Sequence, residues 1–272
     1  MAEWQRWNEP SVTPDASKTA EWLMSAHASG AAFQPFAAAF GIASLADAYT
    51  AQREFVRRQI KTRGARRAGY KIGLTSRRMQ EMCRIDSPIA GVVLADRVHA
   101  SGVALRAPDY GRLGIEFEIA VQLKRDLLPT GPPSLAEVAA AVDAVAPAIE
   151  VIDDRRADYR ALDVLSLIAD NSWNAGIVLG EFVRPWPDLA TIEGEVSVDG
   201  GVLDRGSGGD VLGHPFHPVA WLASHLATEG LGLRAGDIVM TGSLVTTKFP
   251  ERSASYHFDV KGLGSIDVTV TV

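Results

Sequence analysis

The chain has 272 residues, 47% of them hydrophobic and 22% charged. That is long enough for one large domain with a sizeable core, and too apolar for a disordered chain. The formal net charge of −6 gives no overall attraction for nucleic acid or an acidic membrane surface.

A single cysteine, Cys83, excludes a disulfide framework within the chain and suits a reducing compartment. With no evident His partner it reads as a buried thiol rather than a nucleophile. The N-terminus lacks the apolar core of a signal peptide, and no stretch of about eighteen apolar residues occurs. The expected location is the cytoplasm.

Residues 1 to about 15 read as a loose arm broken by Pro10 and Pro14. Asp15 or Ser17 can cap a helix that runs to about Ser29 and ends at Gly30. A longer helix fits Ser44 to about Thr62, with Leu45, Ala48, Ala51, Phe55 and Ile60 roughly on one face. Its basic residues, from Arg53 to Arg67, read as a solvated amphipathic face rather than a nucleic-acid patch. Gly64 and Gly69 then mark a turn, Tyr70–Leu74 a short strand, and Thr75 the cap of a helix through about Cys83. Beyond this, strands and turns dominate, with helices at about 134–145 and 217–228. The last strands fall near 237–241, 253–260 and 265–271, the final two joined at Gly262 and Gly264 as in a hairpin. The expected organisation is a helical N-terminal region, 1–68, and a larger strand-rich catalytic region, 69–272.

The strongest local signal is Gly114–Leu123. Ile115, Phe117, Ile119, Val121 and Leu123 alternate with the other residues, so one strand face should enter the core. Glu116 and Glu118 then project together from the opposite face, with Cβ atoms about 7 Å apart. An exposed polar face would explain the pair, but a cation would turn its repulsion into attraction. Oxygen-only ligands suit Mg²⁺, Mn²⁺ or Ca²⁺ rather than zinc. Glu150, inside the apolar run Pro147–Asp153, offers a third carboxylate; if buried it needs a partner, either a metal or Arg155 or Arg156. Lys71, in another short apolar strand, either snorkels to solvent or points into a site as a proton shuttle or anion binder.

Taken in order, Lys71–Ser76, Asp86-Ser87-Pro88 with Gly91, Glu116–Ala120, Pro147–Asp153, Ala169-Asp170-Asn171, Leu212–Pro215 and Gly236–Ser243 resemble the 2-keto-4-pentenoate hydratase / 4-oxalocrotonate decarboxylase family. This family belongs to the fumarylacetoacetate hydrolase superfamily. The likeness runs from about residue 40 to the C-terminus. It implies an α+β fold, a mixed β-sandwich roll with a helical N-terminal region. It further implies a divalent metal, Mg²⁺ or Mn²⁺, held at Glu116, Glu118 and Glu150, and Lys71 as the catalytic group beside it. Leu74 and Ser243 would lie against substrate. The implied reaction adds water to a 2-hydroxy-2,4-dienoate or its 2-oxo tautomer, giving a 4-hydroxy-2-oxo acid. Decarboxylation of a 4-oxalocrotonate-like 2-oxo diacid is the alternative, and acylpyruvate C–C hydrolysis a further one. A homo-oligomer is expected, and a hydratase–decarboxylase complex is a further option.

One position departs from the hydratase pattern. Where hydratases carry Pro-Asp-aromatic-Gly, this chain has Pro88-Ile89-Ala90-Gly91, so an acid/base aspartate is replaced by an aliphatic residue closer to the decarboxylases. Asp170–Gly176 in turn is closer to the hydratases. A hydrolase would carry a His/Glu pair near the N-terminus, and no such motif surrounds His27. His214, His217 and His225 lack zinc spacing, and Arg205–Asp210 reads as a turn between strands rather than a phosphate loop. Arg77 and Arg78 either face solvent on a helix or reach a distal substrate carboxylate.

Overall fold

The computed structural model describes residues 14–128 and 130–272. It opens on two helices, α1 (Pro14–Ala28) and α2 (Leu45–Arg63). α1 already includes Pro14, Asp15 and Ser17, so neither expected cap starts it; the expected arm before it lies outside the described residues. α2 spans the expected segment, and its ends are set by local chemistry. The Ser44 hydroxyl accepts from the Asp47 N–H, and Gly64 closes the helix in the left-handed region at φ 63°. Its arginines are tied to acids: Arg57 and Arg58 both hold the buried Glu54 carboxylate at 2.7 Å, and Arg53 holds Glu229.

The strands are β1 (Arg67–Gly73), β2 (Ile89–Leu94), β3 (Val98–Ala100), β4 (Val103–Arg106), β5 (Leu113–Leu123), β6 (Val142–Asp153), β7 (Asn174–Leu179), β8 (Glu193–Val198), β9 (Gly201–Ser207), β10 (Ile238–Ser243), β11 (Ala254–Val260) and β12 (Gly264–Thr271). Helices α3 (Arg77–Cys83), α4 (Leu135–Ala141), α5 (Val164–Ala169) and α6 (Phe216–Thr228) punctuate them. A seven-stranded mixed sheet has the order β2-β1-β10-β5-β6-β7-β3, and a five-stranded one the order β4-β12-β11-β8-β9. They meet through the alternating apolar face of β5: Phe117 packs on Phe258 of β11, ring centres 5.4 Å apart. The apolar core is continuous from Ala20 and Phe55 of the helices to Val270. No helix among the described residues is long and apolar enough to cross a membrane.

The structure corrects several local expectations. The helix expected over 134–145 stops at Ala141, because Val142 already enters β6, which pairs with β5 on one side and β7 on the other. Pairing with β5, from Val142 opposite Leu123 onward, outweighs the helical propensity of the alanines. Ser76, not Thr75, caps α3. Gly69 lies within β1 rather than in a turn: a Cβ there would sit 1.8 Å from the Ile238 carbonyl oxygen of β10, so only glycine fits the close approach. Arg205 to Ser207 end β9, and only Gly208–Asp210 form the short turn. Cys83 is buried, and the β11–β12 hairpin turns at Gly262 as expected.

Candidate active site

Five neighbouring strands, β1-β10-β5-β6-β7, bring the sequence-selected charges together. Antiparallel pairing of β5 with β6 sets Glu116 directly opposite Glu150 and Glu118 opposite Ala148. Like charges placed opposite one another destabilise a sheet. The exposed-face explanation fails here: Glu118 and Glu150 are fully buried, and Glu116 is partly so. One carboxylate oxygen from each of the three lies within 4.8 Å of the others.

Each buried carboxylate has one oxygen engaged and one bare. Glu118 Oε2 accepts the Gly242 N–H at 2.8 Å, while Oε1 has no hydrogen-bond partner among the described residues. Glu150 Oε1 accepts from Asn174 Nδ2 at 2.9 Å and lies 3.2 Å from Lys71 Nζ, while Oε2 has none. A bare buried carboxylate oxygen is costly. Two of them beside a third glutamate, with outer hydrogen bonds fixing their orientation, fit a hard divalent cation with oxygen ligands. Glu116 is steadied by the Thr247 hydroxyl, which donates to Oε1.

Lys71 is buried and aimed at this cluster. Burial works against its charge, but the carboxylates of Glu150, Glu116 and Glu118 more than offset it and hold its pKa above the ordinary lysine value. Burial pushes Glu118 well above the usual carboxylate range, and the charges of Glu150 and Glu116 add to that. Glu150 is raised as well, by burial first, with Lys71 offsetting part of the rise. Gly91, paired with Lys71 across β1 and β2, makes room for the lysine: a Cβ there would stand 3.2 Å from Lys71 Cγ and 2.8 Å from the Asn171 carbonyl oxygen.

Lys71 and Glu116 line a cavity of about 730 Å³, as do Leu74, Ser243 and Ile89. Leu74 sits in the left-handed region at φ 55°, a conformation costing a non-glycine residue about 1 kcal/mol or more. Ser243 lines the wall, but its hydroxyl is already engaged, accepting from Phe117 N at 3.1 Å and donating to the Val245 carbonyl at 2.8 Å. Arg155 is not the partner of Glu150. It is buried and bound to Asp170, which also holds His27 at 2.6 Å.

Sequence reading missed three supports. Asn174 stands in a run noted only for its likeness, and its role depends on the β6–β7 register. Gly242 follows a break in the β10–β5 pairing, with φ 111°, and a Cβ would lie 2.2 Å from Thr75 Oγ1. Thr247 reaches Glu116 from beyond β10, and no local pattern marks it.

The family model for the fumarylacetoacetate (FAA) hydrolase C-terminal region matches residues 64–271. A 2-keto-4-pentenoate hydratase from Burkholderia vietnamiensis is 36% identical over 215 residues, covering 78% of this chain and 80% of that protein. A 4-oxalocrotonate decarboxylase from Pseudomonas putida is 36% identical over 230 residues, covering 82% and 84%. The solved structure of 4-oxalocrotonate decarboxylase from Pseudomonas putida G7, complexed with magnesium and adipate, superposes with a TM-score of 0.88 at 30% identity, over 96% of this chain and all of that one. With its N-terminal helices and two mixed sheets, the chain belongs to the fumarylacetoacetate hydrolase family, as an enzyme of its hydratase and decarboxylase group.

Proposed function

We propose that the chain is a metal-dependent hydratase acting on a 2-hydroxy-2,4-dienoate, or its 2-oxo-enoate tautomer, to give a 4-hydroxy-2-oxo acid. The observation that carries this reading is the pair of bare, buried oxygens on Glu118 and Glu150, set beside Glu116 and Lys71 at a substrate-sized cavity. Mg²⁺ or Mn²⁺ held by the three glutamates would supply Lewis acidity toward the substrate carboxylate and C2 oxygen.

The protein groups do the remaining work. Glu150, itself oriented by Asn174, holds Lys71 at the cavity wall, where its ammonium steadies negative charge on the substrate and moves the proton of tautomerisation. Leu74 and Ser243 shape the wall against the acid, and the engaged Ser243 hydroxyl points to a backbone contribution rather than a hydroxyl one. Apolar Leu162, Leu167 and Phe249 keep water from part of the cavity.

Ile89 favours a second reading, decarboxylation of a 2-oxo diacid. It is buried, and its Cγ1 lies 3.4 Å from where a Gly73 Cβ would stand, a point 3.5 Å from Lys71 Nζ. It therefore puts an aliphatic wall, not a carboxylate, where a water could be activated. Assay of the Mg²⁺-loaded protein on mono- and dicarboxylic 2-hydroxydienoates, with CO₂ and hydroxy acid both detected, separates the two. Hydroxy acid without CO₂ supports hydration, CO₂ release supports the second reading, and no Mg²⁺-dependent turnover of any of them overturns both. By its family likeness the chain should also form a homo-oligomer. Sedimentation showing only a 29.1 kDa species at micromolar concentration contradicts this.

A further inference from the structure

The cavity that exposes Lys71 and Glu116 has a second cationic wall. Arg78, Met79 and Met82 of α3 line it, and Met82 neighbours both of the others on the helix, at i+4 from Arg78 and i+3 from Met79. The other charged side chains of the wall are already engaged. Lys71 is paired with Glu150, Arg205 with Glu195 at 2.6 Å, and Asp204 with Lys248. Asp210 accepts from the Ser207 N–H at 2.7 Å. Among the described cations on this wall, only Arg78 has no carboxylate partner. Arg77, the residue before it, is not part of the wall.

We propose that Arg78 binds the distal carboxylate of a dicarboxylic 2-oxo-enoate and so sets the substrate class. The acid's 2-oxo end lies at Glu116 and Lys71, its chain runs along the apolar Leu74, Met79 and Ile89, and its far carboxylate meets the guanidinium. This rests on the metal-dependent reading of the same site. The cavity is large enough for such an acid. Each C–C bond of about 1.5 Å advances a zigzag chain about 1.25 Å, so the carboxyl carbons of a six- or seven-carbon dioate stand about 6–7.5 Å apart. The cavity volume of about 730 Å³ equals that of a sphere about 11 Å across. A guanidinium matches a carboxylate in a planar, two-point geometry that a lysine cannot reproduce. It also stabilises the far carboxylate against leaving as CO₂, which fits a group retained through hydration.

Calorimetric titration of the Mg²⁺-loaded protein with adipate and with hexanoate tests this without turnover. The two share a six-carbon chain and differ in the far carboxylate. Adipate is expected to bind about tenfold more tightly; a stronger preference is not expected, because Arg78 is exposed and partly screened. Arg78→Gln should remove most of that preference, Arg78→Lys should keep part of it, and hexanoate affinity should be unchanged in both. Equal affinity for the two acids, a preference that survives in Arg78→Gln, or binding of neither acid overturns the assignment. Metal-dependent turnover of a monocarboxylic dienoate without any diacid preference would leave the lyase reading standing and remove Arg78 alone.

Discussion

Replacing Glu118 by Gln should move stability and metal affinity in opposite directions, because the same carboxylate is a burden without a cation and a ligand with one. Two ionised carboxylates within 4.8 Å repel by about 3.5 kcal/mol at an effective dielectric of about 20. Protonation relieves part of this near neutrality, since Glu118 is held well above the usual carboxylate range by burial and its neighbours. Gln keeps the carbonyl that accepts the Gly242 N–H and turns an amide donor toward the other glutamates. The metal-free variant should therefore gain about 1–3 kcal/mol, a rise in Tm of roughly 2–6 °C at pH 8 for a chain of this size. Metal affinity should fall by at least the 10–100-fold that loss of an outer hydrogen bond costs. Differential scanning calorimetry without metal, with Mn²⁺ titration beside it, measures both. A metal-free Tm that drops together with an unchanged Mn²⁺ affinity refutes the reasoning.

Three further outcomes follow from the same geometry. Lys71→Met should lower kcat by about a hundredfold or more while Mg²⁺ affinity is kept or raised, since a cation beside the ligands is removed; wild-type turnover would make the lysine structural. Asn174→Ala frees the Glu150 carboxylate to rotate and should weaken Mn²⁺ binding about 10–100-fold with little change in fold, as read by circular dichroism and titration. In the metal-free protein Glu118 and Glu150 have raised folded pKa values, so the folded state holds protons that the unfolded chain, titrating near 4.3, has released. Stability is then full at low pH and is lost as pH rises through the raised values, so the metal-free Tm should fall between about pH 5 and 8. Saturating Mg²⁺ should remove that slope, and a slope that persists with metal would contradict it.

Strict alternation made β5 and its glutamate face legible, because period-two patterning directly reports which side chains share a face. The turn at Gly64 was legible for a similar local reason, whereas the Ser44 cap was not singled out. Glu150 was visible only as an isolated charge in an apolar run, and its true partners, Lys71 and Asn174, come from strands distant in sequence. Arg155, the nearer choice along the chain, instead binds Asp170. The α4–β6 boundary was hidden because an alanine- and valine-rich run satisfies helix and strand alike until β5 pairs with it. Gly242 illustrates the remaining gap: its need for φ 111° and for space beside Thr75 exists only once β10 breaks register against β5.

The most direct measurement is anomalous diffraction from crystals grown with Mn²⁺. One strong peak is expected among Glu116, Glu118 and Glu150, with Glu118 Oε1 and Glu150 Oε2, the two oxygens left bare, as ligands at about 2.0–2.3 Å, and with Glu150 Oε1 still held by Asn174 and Lys71. An anomalous peak elsewhere, or none at these three residues at saturating Mn²⁺, would contradict it.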